Sequence, residues 1–329
     1  MLPRLARIPG LTVTPNALLS QYTRFGIGGT CDLLVDAGSE NALCEALTEL
    51  RLADIPHVVI GGGSNLVVHD EGFRGAVIRF TGNTISVSGS CIRVQAGAIL
   101  QDLVDTSIAH GLAGMHTMTR IPGWVGGAVY GNAGAYGHSI QERVRRVRFF
   151  DSGADRQVCV DATIREIDNA ACEFHYRESI FKKRKDWILL SADLEFPSGD
   201  STELAREAGE IQRIRDEKFP PAMKCAGSIF KNLLAAELPG LLRERVPEKV
   251  IREGKIASAW FLEQVGAKGM KNGGIEVATY HANLIYNAGS GTARQVRTII
   301  AELKSRVRAQ FDLDLQEEVQ FVGFPEAHP

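Results

Sequence analysis

Apolar residues recur at helical spacing in several stretches of the chain. Leu43, Ala46, Leu47 and Leu50 share one side of the segment from Ser39 to Leu52, and that period predicts an amphipathic helix. Leu100, Leu103, Val104 and Ile108 do the same between Ile99 and His110, with Gly111 placed as a C-terminal cap. Val296, Ile299, Ile300, Leu303, Val307 and Phe311 form the longest stripe. It follows Thr292 and Gln295, whose three-residue spacing is that of a capping box. Another helix is expected near Ala257 to Val265. Short apolar or alternating runs predict strands at Val58–Ile60, Ala76–Phe80, Arg143–Phe150, Ile188–Phe196, Ile275–Thr279, Leu284–Asn287 and Glu318–Val322. Ile85 to Gln95 reads as a hairpin turning near Gly89 and Ser90. Ser201 to Lys218 (STELAREAGEIQRIRDEK) is a charged helix that stops at Pro220 and Pro221. Proline ends helices and stiffens the exit, so this helix reads as a connector between domains. Helices and strands mixed in this way place the chain in the α+β or α/β classes.

Composition narrows the picture without changing it. The 329 residues are 44% hydrophobic and 23% charged, with a net charge of −2. That is an ordinary globular balance, enough for two or three domains with their own cores. The near-neutral charge argues against a nucleic-acid surface and against a polybasic membrane face. Arg294, Arg297, Lys304, Arg306 and Arg308 lie on one predicted helix and read as its solvated side. The first residues lack a sustained signal-peptide core, and no run approaches the roughly 20 apolar residues that span a bilayer. Six scattered cysteines (Cys31, Cys44, Cys91, Cys159, Cys172, Cys225) form no CxxC pair. Zinc and dithiol chemistry are therefore not indicated, and a reduced, cytoplasmic location is expected.

Two glycine-rich segments carry the candidate chemistry: VVIGGGSNLVV (Val58 to Val68) and IPGWVGGAVYGNAGAYG (Ile121 to Gly137). Glycine lets backbone approach a ligand closely, and successive N–H groups make anion-binding concavities. The first segment fails the GxGxxG test, because Leu66 holds the third glycine position and the β-branched, turn-rich stretch beyond it does not open a helix. A P-loop is excluded by the lack of a GK[ST] sequence. A strand–loop–strand nest over Gly62 to Leu66 remains, suited to a pyrophosphate. The second segment has glycine at 123, 126, 127, 131, 134 and 137, a density poor for any regular element and apt for close approach to a flat ligand. Two such loops suggest a large phosphate-bearing cofactor. The separate polar motif CAGSIFKN (Cys225 to Asn232) suggests a second ligand.

YTRFGIGG (Tyr22 to Gly29), IGGGSNLVV, IPGWVGGAVYGNAGAYG, YRESIF (Tyr176 to Phe181), AGSIFKN and EEVQFVG (Glu317 to Gly323) occur in this order. Together they resemble the UDP-N-acetylenolpyruvoylglucosamine reductase family, and the resemblance runs from about Gln21 to Gly323. It implies an α+β chain with an FAD-binding fold of the vanillyl-alcohol-oxidase type. Two FAD-binding subdomains (residues 1–80 and 81–200) would be followed by the connecting helix (201–219) and a C-terminal α+β substrate-binding domain (220–329). It implies non-covalent FAD with NADPH as hydride donor, and reduction of an enolpyruvyl ether on a UDP-sugar in peptidoglycan precursor synthesis. FAD would be held by Gly61, Gly62, Gly63, Ser64, Asn65 and Leu66, and by Pro122, Gly123, Gly126, Gly127, Asn132, Ala133, Gly134, Ala135 and Tyr136. Ser228 matches the family's proton donor, Arg177 its arginine on the growing carboxylate charge, and Glu318 the glutamate of the closing strand. Lys218, Lys231 and Asn232 are expected at the substrate diphosphate. His281, in HANLIYN, reads as structural. A monomer is expected.

Two departures from the family pattern stand out. Trp124 occupies a position where small residues are usual, and Leu233 to Lys255 is longer than the usual link, reading as helix, break, helix. Two other readings keep the glycine loops: a flavin oxidase or dehydrogenase with a different substrate, and a non-catalytic flavin-binding regulator. Neither has a use for Ser228, Arg177 and Glu318 together.

Overall fold

A computed structural model of the chain describes residues 1–153 and 164–325, so Cys159 lies outside the described residues. The chain divides into two units. The larger takes Met1–Ala17, Cys31–Gly62 and Arg74–Pro221, and the smaller takes Leu18–Thr30, Gly63–Phe73 and the chain from Ala222 onward.

The larger unit holds two sheets. One runs Leu11–Pro15, Cys31–Ala37, Phe73–Phe80, His57–Ile60, with its first pair antiparallel and its last pair parallel. The helix Glu40–Leu52 begins where the Ser39 hydroxyl accepts the Ala42 N–H, and it buries Leu43, Leu47 and Leu50. These pack with Val35, Ile78 and Phe80 into one core. The second sheet is antiparallel, in the order Ile164–Asp168, Val144–Asp151, Trp187–Glu195, Cys91–Gln95, Ile85–Ser88. Its core takes Leu100, Leu103 and Val104 from the helix Leu100–Ala109, together with Phe149 and Phe181. Trp187 stacks on Phe149 at 4.3 Å between ring centres. The helix Ser201–Lys218, expected to connect domains, belongs to this unit. Leu204 and Ala208 are its buried positions, and His116–Glu207 (3.0 Å) and Arg120–Asp216 (2.8 Å) pairs tie its polar side down.

The smaller unit is built on the antiparallel sheet Lys224–Ser228, Leu284–Asn287, Ile275–Val277, Lys271–Asn272 and the helix Ala293–Phe311. The capping box at Thr292 and Gln295 forms, and every residue of the apolar stripe is buried. The charged side is solvated and paired, with Arg306 on Glu302 and Arg308 on Asp314. Two N-terminal pieces complete this unit. Phe25 and Ile27 enter its core. The Asp70 carboxylate accepts the N–H groups of Ala293 (2.7 Å) and Arg294 (3.0 Å), a second cap that complements the positive end of the helix dipole.

Three expectations need correction. The closing strand is shorter than Glu318–Val322, spanning Gln320–Val322 and pairing in parallel with Leu66–Val68. Residues 233–255 are helical only in part: a short α-helix, Gly240–Glu244, lies between single 3-10 turns at Ala235–Glu237 and Glu248–Val250. Leu233–Leu234, Ile251–Arg252 and Lys255–Ile256 form a small three-stranded sheet, and Leu233, Leu238, Val250 and Ile251 pack on the core. The apolar residues there come from both the short strands and the helical turns, a mixture that periodicity over so few residues does not resolve. Finally, Val125–Tyr130 is helical despite its glycines.

Leu303 is fully buried in the middle of the long helix. Leu303→Ala is expected to lower stability by about 2–5 kcal/mol, read from urea unfolding followed by far-UV circular dichroism. A loss below about 1 kcal/mol would contradict the packing described.

Candidate active site

The His57–Ile60 strand runs into Gly61–Gly63, and the chain leaves as the strand Leu66–Val68. No helix follows, in keeping with the failed GxGxxG pattern. The division between the two units falls between Gly62 and Gly63. Gly63 has φ +66°, and a Cβ there would stand 1.9 Å from the Tyr22 carbonyl oxygen, so only glycine fits. Beyond it, the Asn65 side chain donates to the Glu318 carbonyl (3.0 Å), and the Gln320 N–H donates to the Asn65 carbonyl (2.9 Å). This loop is thereby fastened to the closing segment of the chain.

The second loop lies wholly in the larger unit. The Leu100 N–H donates to the Gly123 carbonyl and the Val125 N–H to that of Ala98. Gly126 is packed so closely that a Cβ would meet the Ala96 Cβ at 2.9 Å. Gly127 is different, since nothing lies within 4 Å of where its Cβ would be. A Cβ on Gly61 would come no closer than 3.9 Å, to the Gly127 nitrogen. Bare backbone from the two loops thus meets beside open space, a cradle that side chains would fill. This fits the phosphate-bearing middle of an FAD molecule, which needs close backbone approach. Asn132 is buried, with its side chain donating to Gln141 Oε1 and the His175 carbonyl and accepting the Gln141 N–H. That amide braces the loop. Gly134–Ala135 pairs with His138–Ser139, and Tyr136 at the turn is exposed with φ +53°.

Arg177 also belongs to the larger unit. His175 and Glu178 exchange two backbone hydrogen bonds of 3.1 Å, which makes Tyr176 and Arg177 the corner of a tight turn. Arg177 takes φ +59° there, a conformation usually left to glycine or asparagine. Its guanidinium donates to the Gly134 carbonyl (3.0 Å) and lies 5.2 Å from the Tyr176 ring centre. The Lys182 ammonium holds the Arg177 carbonyl at 2.5 Å. An arginine kept in a strained turn against the second glycine loop is presented by the fold rather than left to drift.

Ser228 ends the strand Lys224–Ser228, where an irregularity between Cys225 and Ser228, with Gly227 at φ +74°, shifts the register. The next residues run beside the closing segment. The Glu318 N–H donates to the Ile229 carbonyl (2.7 Å), and the Lys231 N–H to that of Gln316 (2.9 Å). Ser228 and Glu318 therefore sit on neighbouring segments of one unit. Glu317, the neighbour of Glu318, directs its carboxylate to Lys304 on the long helix (2.9 Å). Asn283, in HANLIYN, grips the serine segment. Its carbonyl accepts from Ile229 N–H, its side-chain oxygen from Phe230 N–H (2.9 Å), and its amide donates to the Phe230 carbonyl (2.8 Å). Sequence reasoning gave this residue no role; the available signal was an amide flanked by apolar strand residues, which must find partners once buried. His281 Nδ1 accepts the Asn283 N–H. The Asn232 side-chain oxygen accepts from Ser258 N–H at the start of the helix Ser258–Gln264, and the Lys231 carbonyl accepts from the Ser258 hydroxyl.

Lys218, in the larger unit, is exposed. Its ammonium lies 5.2 Å from the Phe219 ring centre, and desolvation by surrounding protein, with the like charge of Arg215, lowers its pKa. Burial pushes the Cys44 and Cys172 thiols up to about 12, so neither is a ready nucleophile. Among the described residues no cluster of histidine, cysteine or carboxylate side chains is arranged to hold a metal, and no helix is long and apolar enough to cross a membrane.

The model of an FAD-binding domain matches residues 31–159, which contain nearly all of the larger unit's cradle. With the polar segment in the smaller unit, this defines an FAD-dependent oxidoreductase. The C-terminal domain of UDP-N-acetylenolpyruvoylglucosamine reductase matches residues 219–322. The enzyme of that name from Solibacter usitatus is 56% identical over 97% of this chain and 100% of its own length. That from Bacillus subtilis is 30% identical over 94% of each. The crystal structure of the Thermus caldophilus enzyme superposes with a TM-score of 0.72 at 28% identity, covering 95% of this chain and 99% of the other. The chain belongs to the UDP-N-acetylenolpyruvoylglucosamine reductase family.

The Arg177 turn makes a sharp expectation for stability. Alanine retains the left-handed strain and glycine relieves it, so Arg177→Gly should be about 1 kcal/mol more stable than Arg177→Ala. Equal thermal unfolding midpoints for the two would show that the turn is not strained.

Proposed function

We propose that this chain reduces the enolpyruvyl ether of UDP-N-acetyl-3-O-(1-carboxyvinyl)glucosamine to UDP-N-acetylmuramate, a peptidoglycan precursor, with Ser228, Arg177 and Glu318 carrying the chemistry. Bound FAD supplies the relay of hydride from NADPH to C3 of the enolpyruvyl group. The two glycine loops hold it without a covalent bond, through backbone at Gly61–Leu66 and along Pro122–Tyr136. Addition of hydride at C3 leaves electron density at C2 and on the carboxylate, which calls for a cation and a positioned acid. The Ser228 hydroxyl gives its proton to C2. A hydroxyl is a weak acid, so its value lies in placement, and the Asn283 clamp and the Ile229–Glu318 hydrogen bond supply that. The Arg177 guanidinium takes the growing carboxylate charge, a task suited to its planar fork. Glu318 is assigned to the same reacting centre as Ser228. Lys218, Lys231 and the Asn232 amide group bind the substrate diphosphate.

The observation that carries these roles is the seating of Ser228 and Glu318 on hydrogen-bonded neighbouring segments of the smaller unit. A flavin oxidase of different substrate has no need of that arrangement. A cytoplasmic site of action is supported by the buried, unpaired thiols Cys31, Cys44, Cys172 and Cys225. A monomeric working form is supported by complete cores within one chain. Ser228→Ala should leave flavin bleaching by NADPH near the wild-type rate and slow reoxidation by the enolpyruvyl substrate by at least about a hundredfold, both followed by anaerobic stopped-flow absorbance. Full speed in both half-reactions would remove Ser228 from the proposed role.

A further inference from the structure

Trp124 departs from the expected small residue, and its surroundings explain both the departure and a glycine elsewhere. A Cβ on Gly62 would stand 2.9 Å from Trp124 Cδ1, 3.0 Å from Nε1 and 3.3 Å from Cγ. A side chain at residue 62 would run into the five-membered ring of the indole, so the first loop comes as close to it as only glycine permits. The indole is itself held. The Arg79 guanidinium lies 5.6 Å from its centre, within cation–π range. Arg79 is in turn forked onto Asp36 by two hydrogen bonds of 2.6 Å. These side chains are only 17% and 25% exposed, so the pair is a stiff support rather than a loose surface contact. The Trp124 backbone is fixed as well, through its bridge to Ile99 and the flanking bonds of Gly123 and Val125.

We propose that Trp124 is a positioning residue for the cofactor: it clamps Gly62 so that the Gly61–Gly62 backbone stays against the second loop, and the Trp124–Gly62 contact sets how long FAD is retained. The inference rests on the assignment of these two loops to FAD. Gly61 is the link, since a Cβ there would lie 4.0 Å from the Trp124 Cβ and 3.9 Å from the Gly127 nitrogen, at the edge of the open cradle. Removing the ring frees the loop to move away from Gly127. Adding a methyl at residue 62 pushes the loop off the ring with the same result. With both changes, the methyl enters space the ring has vacated.

The test is the rate of FAD release from full-length holoenzyme, followed by the rise in flavin fluorescence on dilution. Trp124→Ala and Gly62→Ala should each release FAD about tenfold faster than wild type. The double variant should release it no faster than Trp124→Ala, and Trp124→Phe, which restores a flat ring, should fall within about threefold of wild type. Recovery by a ring, together with non-additivity, separates positioning from a general loss of packing. Wild-type release from Trp124→Ala, or multiplied effects in the double variant, overturns the proposal while leaving the enzyme's assignment intact. If Trp124→Ala does not fold, Gly62→Ala decides, and unchanged release from it overturns the proposal. A wild-type chain that retains no FAD overturns both this proposal and the assignment it rests on.

Discussion

The hydrogen bond from the Glu318 N–H to the Ile229 carbonyl, 2.7 Å long, joins the two segments of the smaller unit that carry Ser228 and Glu318. On one side of it stands the serine motif; on the other is the end of the chain. The Asn65 side chain reaches the Glu318 carbonyl across a sequence separation of 253 residues, and Asp70 caps the long helix across 223. Pieces so far apart in sequence carry a large loop-closure cost, which only burial and satisfied polar groups can offset. Buried Asn283 shows how: its side-chain amide makes two hydrogen bonds to Phe230, and its backbone carbonyl accepts a third from the Ile229 N–H. The same contacts that close the unit also set the place of Ser228.

Positions of local chemistry were the most legible in the sequence. The 292–311 helix declared itself through its cap and stripe, because the capping box and the apolar face are both encoded within a few neighbouring residues. The strand–loop–strand character of the first glycine segment was equally readable, because β-branched residues follow it. Contacts between distant segments were not. Nothing local says that Leu18–Thr30 and Gly63–Phe73 fold with the C-terminal part of the chain, or that Asp70 serves as a helix cap. In residues 233–256 the helical part is legible, whereas the two-residue strands carry no period. The Val125–Tyr130 helix runs against the propensity of its glycines, because Val125, Ala128 and Val129 bury enough surface to override it. The site residues became visible through a resemblance spread over six motifs; among them, only the glycine density pointed to a cofactor by itself.

Strain and tightness mark parts of the assigned site. Arg177 occupies a glycine-like conformation. Gly62 and Gly63 are hemmed in by Trp124 and by the Tyr22 carbonyl. At the two loops and YRESIF, strain of this kind serves preorganisation at a cost in stability. The residues 233–255, by contrast, are packed onto the core through Leu233, Leu238, Val250 and Ile251, which is how a structural addition behaves.

The central claim is that this scaffold passes reducing equivalents from NADPH to an enolpyruvyl UDP-sugar. Anaerobic titration of the purified wild-type protein tests it most directly. One equivalent of NADPH should bleach the flavin absorbance, and one equivalent of the enolpyruvyl substrate should restore it in the absence of oxygen. Colour that returns only when air is admitted would contradict the account.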